Sequence, residues 1–303
     1  MPAVKCSDDI AVLANPGAGR GRHRGLLPAV LDRLGAGGRT VRLLEADSAE
    51  DAEKACHRAV AEGIGALVAV GGDGTVHRAL QAVAGTGVGF GVVPAGTGND
   101  FATGTGVPQE PLLAAESIAA AHRDGRHQPV DLARIGTGQG DVRWFGAVLA
   151  AGFDAIVNER ANRMRWPRGP RRYDLAIMLE AARLRPRRYT LELDGVDHSF
   201  AGVLVAVGNC PSYGGGLRIC PDADPADGLL DVVVAAPLGR VALARLQPRV
   251  RRGTHVEDPL ITSFRAREVR IDTPGIVGYA DGERVAALPL VIGCRPGAVR
   301  LLR

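Results

Sequence analysis

The sequence predicts an α/β protein in two parts. The first is a three-layer α/β domain on a mostly parallel sheet; the second is an antiparallel β-sandwich with helical insertions. Three observations carry this. From residue 10 to about 125, short apolar runs alternate with longer amphipathic stretches, the pattern of successive βα units. After "HRDGRHQP" the runs become alternating or continuously apolar with turn residues between them, which reads as antiparallel sheet. Three strand ends of the first part carry glycine-rich loops, where open α/β sheets hold their ligands.

In order, the first part offers "IAVLAN" as a strand, a helix over 22–36, the strand "TVRLLEA" and a helix over 48–62. It continues with the strand "ALVAV", a helix over 75–84, the strand "VGFGVVP" and a helix over 110–123. The second part offers the strands "PVDLARIG", "RWFGAVLAAG", "RYTLELDG", "HSFAGVLVAVGN", "GLLDVVVAA", "EVRIDT" and "AALPLVIG". Two helical segments interrupt it, over 153–185 with a break near Pro167 to Pro170, and over 238–250. The boundary is expected near residue 128, giving domains 1–128 and 129–303, with the last strand free to pack back on the first domain. There is no internal repeat.

Composition narrows the function classes. A chain of 303 residues is long enough for two domains with real cores. With 6 Phe, 4 Tyr and 2 Trp beside 41 Gly, those cores must be filled by Val, Ala and Leu. A net charge of +4 is too small to argue for nucleic acid. The 5 cysteines are an odd set without C-x-x-C spacing, which argues against a disulfide framework and against zinc, and for a reduced, cytoplasmic protein. The first 25 residues lack the apolar core of a signal peptide. The run "AVLAAGFDAIV" is broken by Asp154, so any membrane is expected to be met from the water side.

The loops carry the chemistry: "NPGAG" (15–19), "GGDGT" (71–75) and "PAGTGND" (94–100). Glycine leaves no Cβ in the way, so such loops bring backbone N–H groups close to phosphate oxygens. In the second loop Gly71, Gly72 and Gly74 do this, while Thr75 opens a helix whose positive end attracts an anion. Asp73 cannot ligate phosphate directly, since like charges repel. It either caps the helix or binds a cation that binds the phosphate. The third loop offers Gly96 and Gly98 for close approach, Thr97 as a hydroxyl donor, and Asn99 and Asp100 as polar side chains; its plain alternative is an Asx-turn and helix cap. Arg20 and Arg22 flank the first loop, whose plain alternative is a turn.

At these residues the sequence resembles the diacylglycerol kinase catalytic-domain family, shared by bacterial lipid kinases, sphingosine kinases and ceramide kinases. The motifs stand in order: "NPGAG", "VGGDGTV", "VPAGTGNDFA", "GNCPSYGGGLRICPDADPADGLLDVVV" and "DGE" at Asp281 to Glu283. The resemblance covers nearly the whole chain and implies an NAD kinase/diacylglycerol kinase-like fold with a nucleotide-binding first domain. It implies ATP as phosphate donor, with Asn15, Pro16, Gly17, Ala18, Gly19, Gly72 to Arg78 and Thr97 around it, and Mg2+ on Asp73. It further implies Glu283 as acceptor of the lipid hydroxyl proton with Asp281 beside it, and a second, structural Mg2+ held by Asp227 with the carbonyls of Asp224 and Leu229. Because Glu283 lies in the second domain, the expected site is an interdomain cleft. Two residues depart from the family pattern: His77, where many relatives have Asn, and Ala46, where a Thr often reaches the nucleotide.

Phosphoryl transfer asks a protein mainly for positioning and charge neutralisation, and a carboxylate near an alcohol can take its proton. These roles suit Asp73 and Glu283. The plain alternative for Glu283 is an exposed hairpin turn, "ADGER". The expected acceptor is diacylglycerol. A sphingoid base or other long-chain alcohol, an NAD kinase activity, and a nucleotide-binding membrane regulator without transfer activity are the alternatives. Ten arginines between Arg160 and Arg188, with Trp166 and Tyr173 among them, suggest peripheral docking on an anionic membrane; a solvated arginine-rich face is the plain alternative. No nucleic-acid partner is expected, and a homodimer is compatible with the sequence.

Overall fold

The computed structural model describes residues 8–15, 25–136, 142–164, 166–167 and 171–303. The chain divides into two units. One runs to Leu132 and adds Pro225–Asp227 and Arg295–Arg303; the other comprises Ala133–Asp224 and Gly228–Cys294.

The first unit alternates strand and helix: β1 (Ile10–Ala14), α1 (Leu27–Leu34), β2 (Val41–Leu44), α2 (Ala49–Ala61), β3 (Ala66–Gly71), α3 (Asp73–Val83), β4 (Gly89–Pro94), α4 (Asp100–Gly104) and α5 (Pro111–Arg123). The strands pair in parallel in the order β2-β1-β3-β4. β3 and β4 are buried along their whole length, as expected of central strands covered on both faces, which is why they read as unbroken apolar runs. Helix α5 packs on β4 and α1, while α3 packs on β3 and α2. The α2 start is fixed by Ser48, whose hydroxyl accepts the Asp51 N–H, and the α5 start by the Glu110 carboxylate, which accepts from Leu112 and Leu113. Arg300 and Leu301, at the end of the last strand, extend this sheet by pairing in parallel with Gly89 and Phe90. Gly297 N–H donates to the Asp131 carboxylate, and Asp131 N–H donates to the Pro225 carbonyl, which accounts for the return of both later segments to this unit.

The second unit follows with β5 (Gln128–Gly136), which begins in the first unit, then β6 (Val142–Phe145), β7 (Val148–Gly152), α6 (Phe153–Arg163), α7 (Arg171–Ala181) and β8 (Arg187–Leu193). Next come β9 (Val196–Asp197), β10 (Phe200–Gly202), β11 (Leu204–Gly208), β12 (Leu230–Ala235), α8 (Arg240–Arg252), β13 (Ile261–Ala266), β14 (Glu268–Asp272), β15 (Val277–Ala280), β16 (Glu283–Ala287) and β17 (Leu290–Leu301), which ends in the first unit. An antiparallel sheet runs β13-β12-β11-β7-β15-β16. A second antiparallel layer runs β10-β8-β14 and the first half of β17. Residues from both layers, among them Leu149, Val205, Val232, Leu191 and Ile271, meet in one buried apolar cluster, which makes this a sandwich. Its small Val, Ala and Leu side chains match the scarcity of aromatics.

The sequence reading and the structure differ in detail. Helix α3 starts at Asp73, two residues earlier than expected. "RWFGAVLAAG" is two strands, β6 and β7, separated at Gly146 and Ala147. Residues 100–104 form a short helix that was not among the expected elements, although a helix cap was the plain alternative for the loop before it; the segment over 153–185 is two helices, α6 and α7, as the expected break near Pro167 to Pro170 requires.

Candidate active site

The second and third glycine loops form one built junction. β3 delivers Gly71 and Gly72 to the start of α3, and Val76 N–H closes the first helical bond on Gly72 O. A Cβ on Gly71 would stand 2.3 Å from the Thr75 hydroxyl oxygen, so Thr75 is buried against a position only glycine can fill. A Cβ on Gly96 would stand 2.4 Å from Gly72 Cα, so the two loops touch backbone to backbone. Ala95 N–H donates to Gly71 O, tying β4's end to β3's.

Asp73 locks this junction. Its half-buried carboxylate accepts the Asn99 N–H at 2.8 Å and the Asp100 N–H at 2.7 Å. Those two donors open α4, so Asp73 satisfies orphan N–H groups of a helix other than its own. Asn99 adopts a left-handed backbone with φ 58° and folds its side-chain oxygen back onto Gly96 N–H, closing the third loop. Thr97 is exposed at the tip, and Asp100 is buried at the start of α4. Gly74 and Gly98 are part-exposed beside them.

The first loop's Pro16, Gly17, Ala18 and Gly19, with Arg20 and Arg22, lie outside the described residues. Asn15, which leads into it, is exposed, and its N–H donates to Val70 O just before the second loop. Of the two departures from the family pattern, His77 is buried in α3 with its carbonyl accepting from Gln81, and Ala46 is exposed after β2.

The fit to a triphosphate with Mg2+ can be judged from these groups. The backbones of Gly72 and Gly96 approach so closely that neither position leaves room for a side chain, and the contact lies at the positive end of α3. An ionised carboxylate offers about four acceptor positions, more than the Asn99 and Asp100 N–H groups use on Asp73. Magnesium needs one or two carboxylates besides its waters. The residues therefore fit, and capping and metal binding are compatible roles for Asp73, not alternatives.

In the second unit, Asp281 and Glu283 flank the turn between β15 and β16. The Asp281 carboxylate accepts the N–H groups of Gly146 and Ala147 at 3.0 and 2.9 Å, holding the hairpin against the β6–β7 turn. Glu283, the first residue of β16, is half-buried. The hairpin is also tied to α6: Tyr279 donates its hydroxyl to Glu159, and Arg284 lies 3.5 Å from the same carboxylate. These partners, Tyr279 foremost, hold the Glu159 carboxyl below its ordinary range.

On the loop before β12, Asp224 and Asp227 are exposed and Leu229 is half-buried. Among the described residues no group of three or more His, Cys, Asp or Glu side chains is arranged to hold a metal ion. A site built from one carboxylate and two carbonyls does not need such a group.

Two buried aspartates outside the candidate set have raised carboxyls. Asp154, at the start of α6, accepts from Ala155 N–H and from the Tyr213 hydroxyl at 3.2 Å, and burial pushes its carboxyl up to about 6. Asp231, on β12, is pushed up to about 6 by burial, with the charges of Asp222 and Asp224 adding to it. The signal for Asp154 was present in the sequence as a lone charge inside an apolar run.

With the geometry in view, comparison with known proteins decides the family. Residues 9–135 match the model of the diacylglycerol kinase catalytic domain, and residues 147–303 match the YegS C-terminal NAD kinase beta sandwich-like domain. The chain belongs to the diacylglycerol kinase family of lipid kinases. It is 43% identical over 97% of its length to a Mycobacterium tuberculosis (strain ATCC 25618 / H37Rv) protein named "Diacylglycerol kinase", covering 94% of that protein. It is 34% identical to a Xanthomonas oryzae pv. oryzae (strain MAFF 311018) protein named "Probable lipid kinase YegS-like", over 83% of this chain and 82% of that one. A solved structure from Bacillus anthracis str. Sterne shares the fold over 100% of this chain and 97% of its own, with a TM-score of 0.80 at 23% identity. Among the described residues no helix is long and apolar enough to cross a membrane.

Proposed function

We propose that this enzyme transfers the terminal phosphoryl group of ATP to the hydroxyl of diacylglycerol, giving phosphatidic acid and ADP. The observation that carries the reading is the Asp73 junction, one carboxylate and two touching glycines that join two glycine-rich loops at the start of α3. The acceptor assignment is supported by the 43% identical relative, which bears the name "Diacylglycerol kinase".

In this mechanism the N–H groups of the Gly71–Thr75 and Gly96–Asp100 loops and the first loop from Asn15 to Gly19 hold the phosphates, with Thr97 donating its hydroxyl. Asp73 would hold the Mg2+ that accompanies the triphosphate, and the ion would supply neutralisation of phosphate charge there. Glu283 accepts the proton of the lipid hydroxyl as its oxygen bonds to phosphorus and the bond to ADP breaks. Asp281 positions Glu283 by fixing the turn that carries it. Asp227 with the carbonyls of Asp224 and Leu229 would hold a structural Mg2+, which would steady the loop before β12.

The test offers labelled ATP with diacylglycerol, sphingosine, undecaprenol or NAD in parallel. Label is expected in phosphatidic acid; label only in NADP, or only in another lipid phosphate, overturns the acceptor, and ATP binding without ADP release overturns the transfer. Asp73→Asn should lower turnover by on the order of 10³-fold or more and raise the Mg2+ concentration needed for half-maximal rate. An unchanged Mg2+ requirement would remove the metal role while leaving the acceptor assignment standing.

A further inference from the structure

Of the arginines over 160–188, Arg160 and Arg163 are paired with Glu180 and Glu159, and Arg165 and Arg168 lie outside the described residues. A more closely built set of polar contacts surrounds the turn between β6 and β7. Gly146 and Ala147, which make that turn, are buried, so their peptide groups need partners inside the protein. Asp281 takes both N–H groups. Both carbonyls are taken by Asn209, the residue after β11, which donates its main-chain N–H to Ala147 O at 2.8 Å and its side-chain Nδ2 to Gly146 O at 2.9 Å. Cys210 N–H adds a bond to Ala147 O at 3.1 Å.

The turn is thus held by Asp281 through its donors and by Asn209 through its acceptors. The hairpin that carries Glu283 hangs from it, because Asp281 N–H also donates to Val148 O, directly after the turn. Any displacement of Gly146 and Ala147 is therefore passed to Asp281 and to the residue two places on.

The kind of side chain at 209 is informative. Asn209 is 1% exposed and follows a strand whose last four residues are buried, so an apolar side chain would suit the packing. A buried amide costs free energy unless it is bonded. Its bond to Gly146 O offsets that cost and gives the amide a task that valine or leucine could not perform. The turn gripped by Asp194 is held differently: the carbonyls of Arg267 and Glu268 accept the main-chain N–H groups of Cys294 and of Asp194 itself. Backbone pairing holds those carbonyls, whereas a side chain reaches Gly146 O.

We propose that Asn209 is a positioning residue for phosphoryl transfer: it fixes the Gly146–Ala147 turn, the turn fixes Asp281, and Asp281 sets where the Glu283 carboxylate stands. The chemistry is sensitive to such placement, since a shift of about 1 Å at a reacting group can cost on the order of 10²-fold in rate. The inference rests on the proposed kinase reading, in which Glu283 accepts the proton.

The test is Asn209→Ala in the full chain. Its kcat should fall roughly 10- to 100-fold while KM for ATP and equilibrium ATP binding stay unchanged. The deciding measurement repeats the substitution in the Glu283→Gln background. With the proton acceptor gone there is no carboxylate to place, so the further loss should be no more than about twofold; an equal loss in both backgrounds overturns the inference, because a loosened fold would slow either enzyme alike. Hydrogen–deuterium exchange in peptides over 145–148 and 280–284 should be roughly tenfold faster in Asn209→Ala, with the 193–196 hairpin unchanged. Unchanged exchange over 280–284 overturns it as well. Asn209→Asp, which has the same size but cannot donate when ionised, is read in place of an alanine variant that does not fold. Collapse of both overturns the inference, since Asn209 would then be holding the whole sandwich. A wild type that phosphorylates no acceptor refutes the kinase reading, while the exchange result still decides whether Asn209 holds the Asp281 hairpin, so the two can fail separately.

Discussion

Two hairpins of the second unit share a skeleton and differ in chemistry at the residue after the glycine. In Leu193–Asp194–Gly195–Val196 and in Ala280–Asp281–Gly282–Glu283, the flanking residues pair and the two central ones have positive φ: 48° and 84° in the first, 51° and 83° in the second. This is the tight turn whose twist matches the strands, and Asp-Gly is its preferred sequence. In both, the aspartate carboxylate accepts two backbone N–H groups of a neighbouring segment: Arg267 and Glu268 for Asp194, Gly146 and Ala147 for Asp281. The recurrence teaches that Asp281 performs a structural task which Asp194 performs in a hairpin given no role in the chemistry. What sets the second hairpin apart is the residue after its glycine, Glu283 in place of Val196. In the proposed mechanism the chemistry falls to Glu283 and its placement to Asp281.

The largest effect should come from the residue that differs. Glu283→Gln keeps the size and the strand and removes the proton acceptor, so kcat should fall by about 10²- to 10⁴-fold while ATP binding persists. Steady-state rates together with equilibrium ATP binding check this. Normal turnover would break the comparison at its main point, since the two hairpins would then be equivalent in chemistry as well as in shape.

A smaller effect separates the matched aspartates. Asp281→Asn leaves one of two backbone donors facing an amide NH2, which should destabilise the fold by about 1–3 kcal/mol and lower kcat by up to about 10²-fold through misplacement of Glu283. Asp194→Asn makes the same change at a more exposed turn and should lower Tm with no effect on kcat. Thermal melts and rates on the two variants read both quantities. Equal loss of kcat in the two would show that general loosening of the sandwich, not the placement of Glu283, is responsible.

How much could be read from the sequence follows the same division between local and distant causes. The βα alternation announced the first unit because β3 and β4 are buried end to end, and the sandwich strands showed because their periodicity is local. Glycine at 71, 72 and 96 was legible as close approach, although not that Gly72 and Gly96 approach each other. The carboxylate bonds of Asp73 to residues 26 and 27 positions away, and of Asp281 to residues 135 and 134 away, depend on tertiary placement that no spacing rule encodes. For that reason Asp73 was left between capping and metal binding. Helix α4 was missed because five residues carry no periodicity. The arginine run showed as charge, but which of its members face solvent was settled by packing around Tyr173 and by ion pairs such as that of Arg160 with Glu180.

Asp154 extends the comparison to an aspartate that is buried instead of stitched to two donors at a turn. Its carboxyl is pushed up to about 6 in the folded chain against an ordinary value of 3.8. The folded state thus holds a proton that the unfolded chain releases near pH 4. A raised folded pKa gives a contribution that is full below the unfolded value and lost as pH rises through the folded one, so this stabilisation fades between about pH 4 and pH 6. Asp154→Asn is neutral at every pH, and its single amide oxygen can accept from Ala155 N–H while its NH2 donates to the Tyr213 hydroxyl oxygen. It should match the wild type near pH 4 and exceed it at pH 8 by on the order of 3 kcal/mol at most. Part of the pH slope should survive in the variant, because Asp231 is raised in the same direction. Melting temperatures of both proteins from pH 4.5 to 8 give the result. A gap that stays constant across that range would mean that Asp154 is not protonated by burial, and that its bonds from Ala155 and Tyr213 hold it ionised.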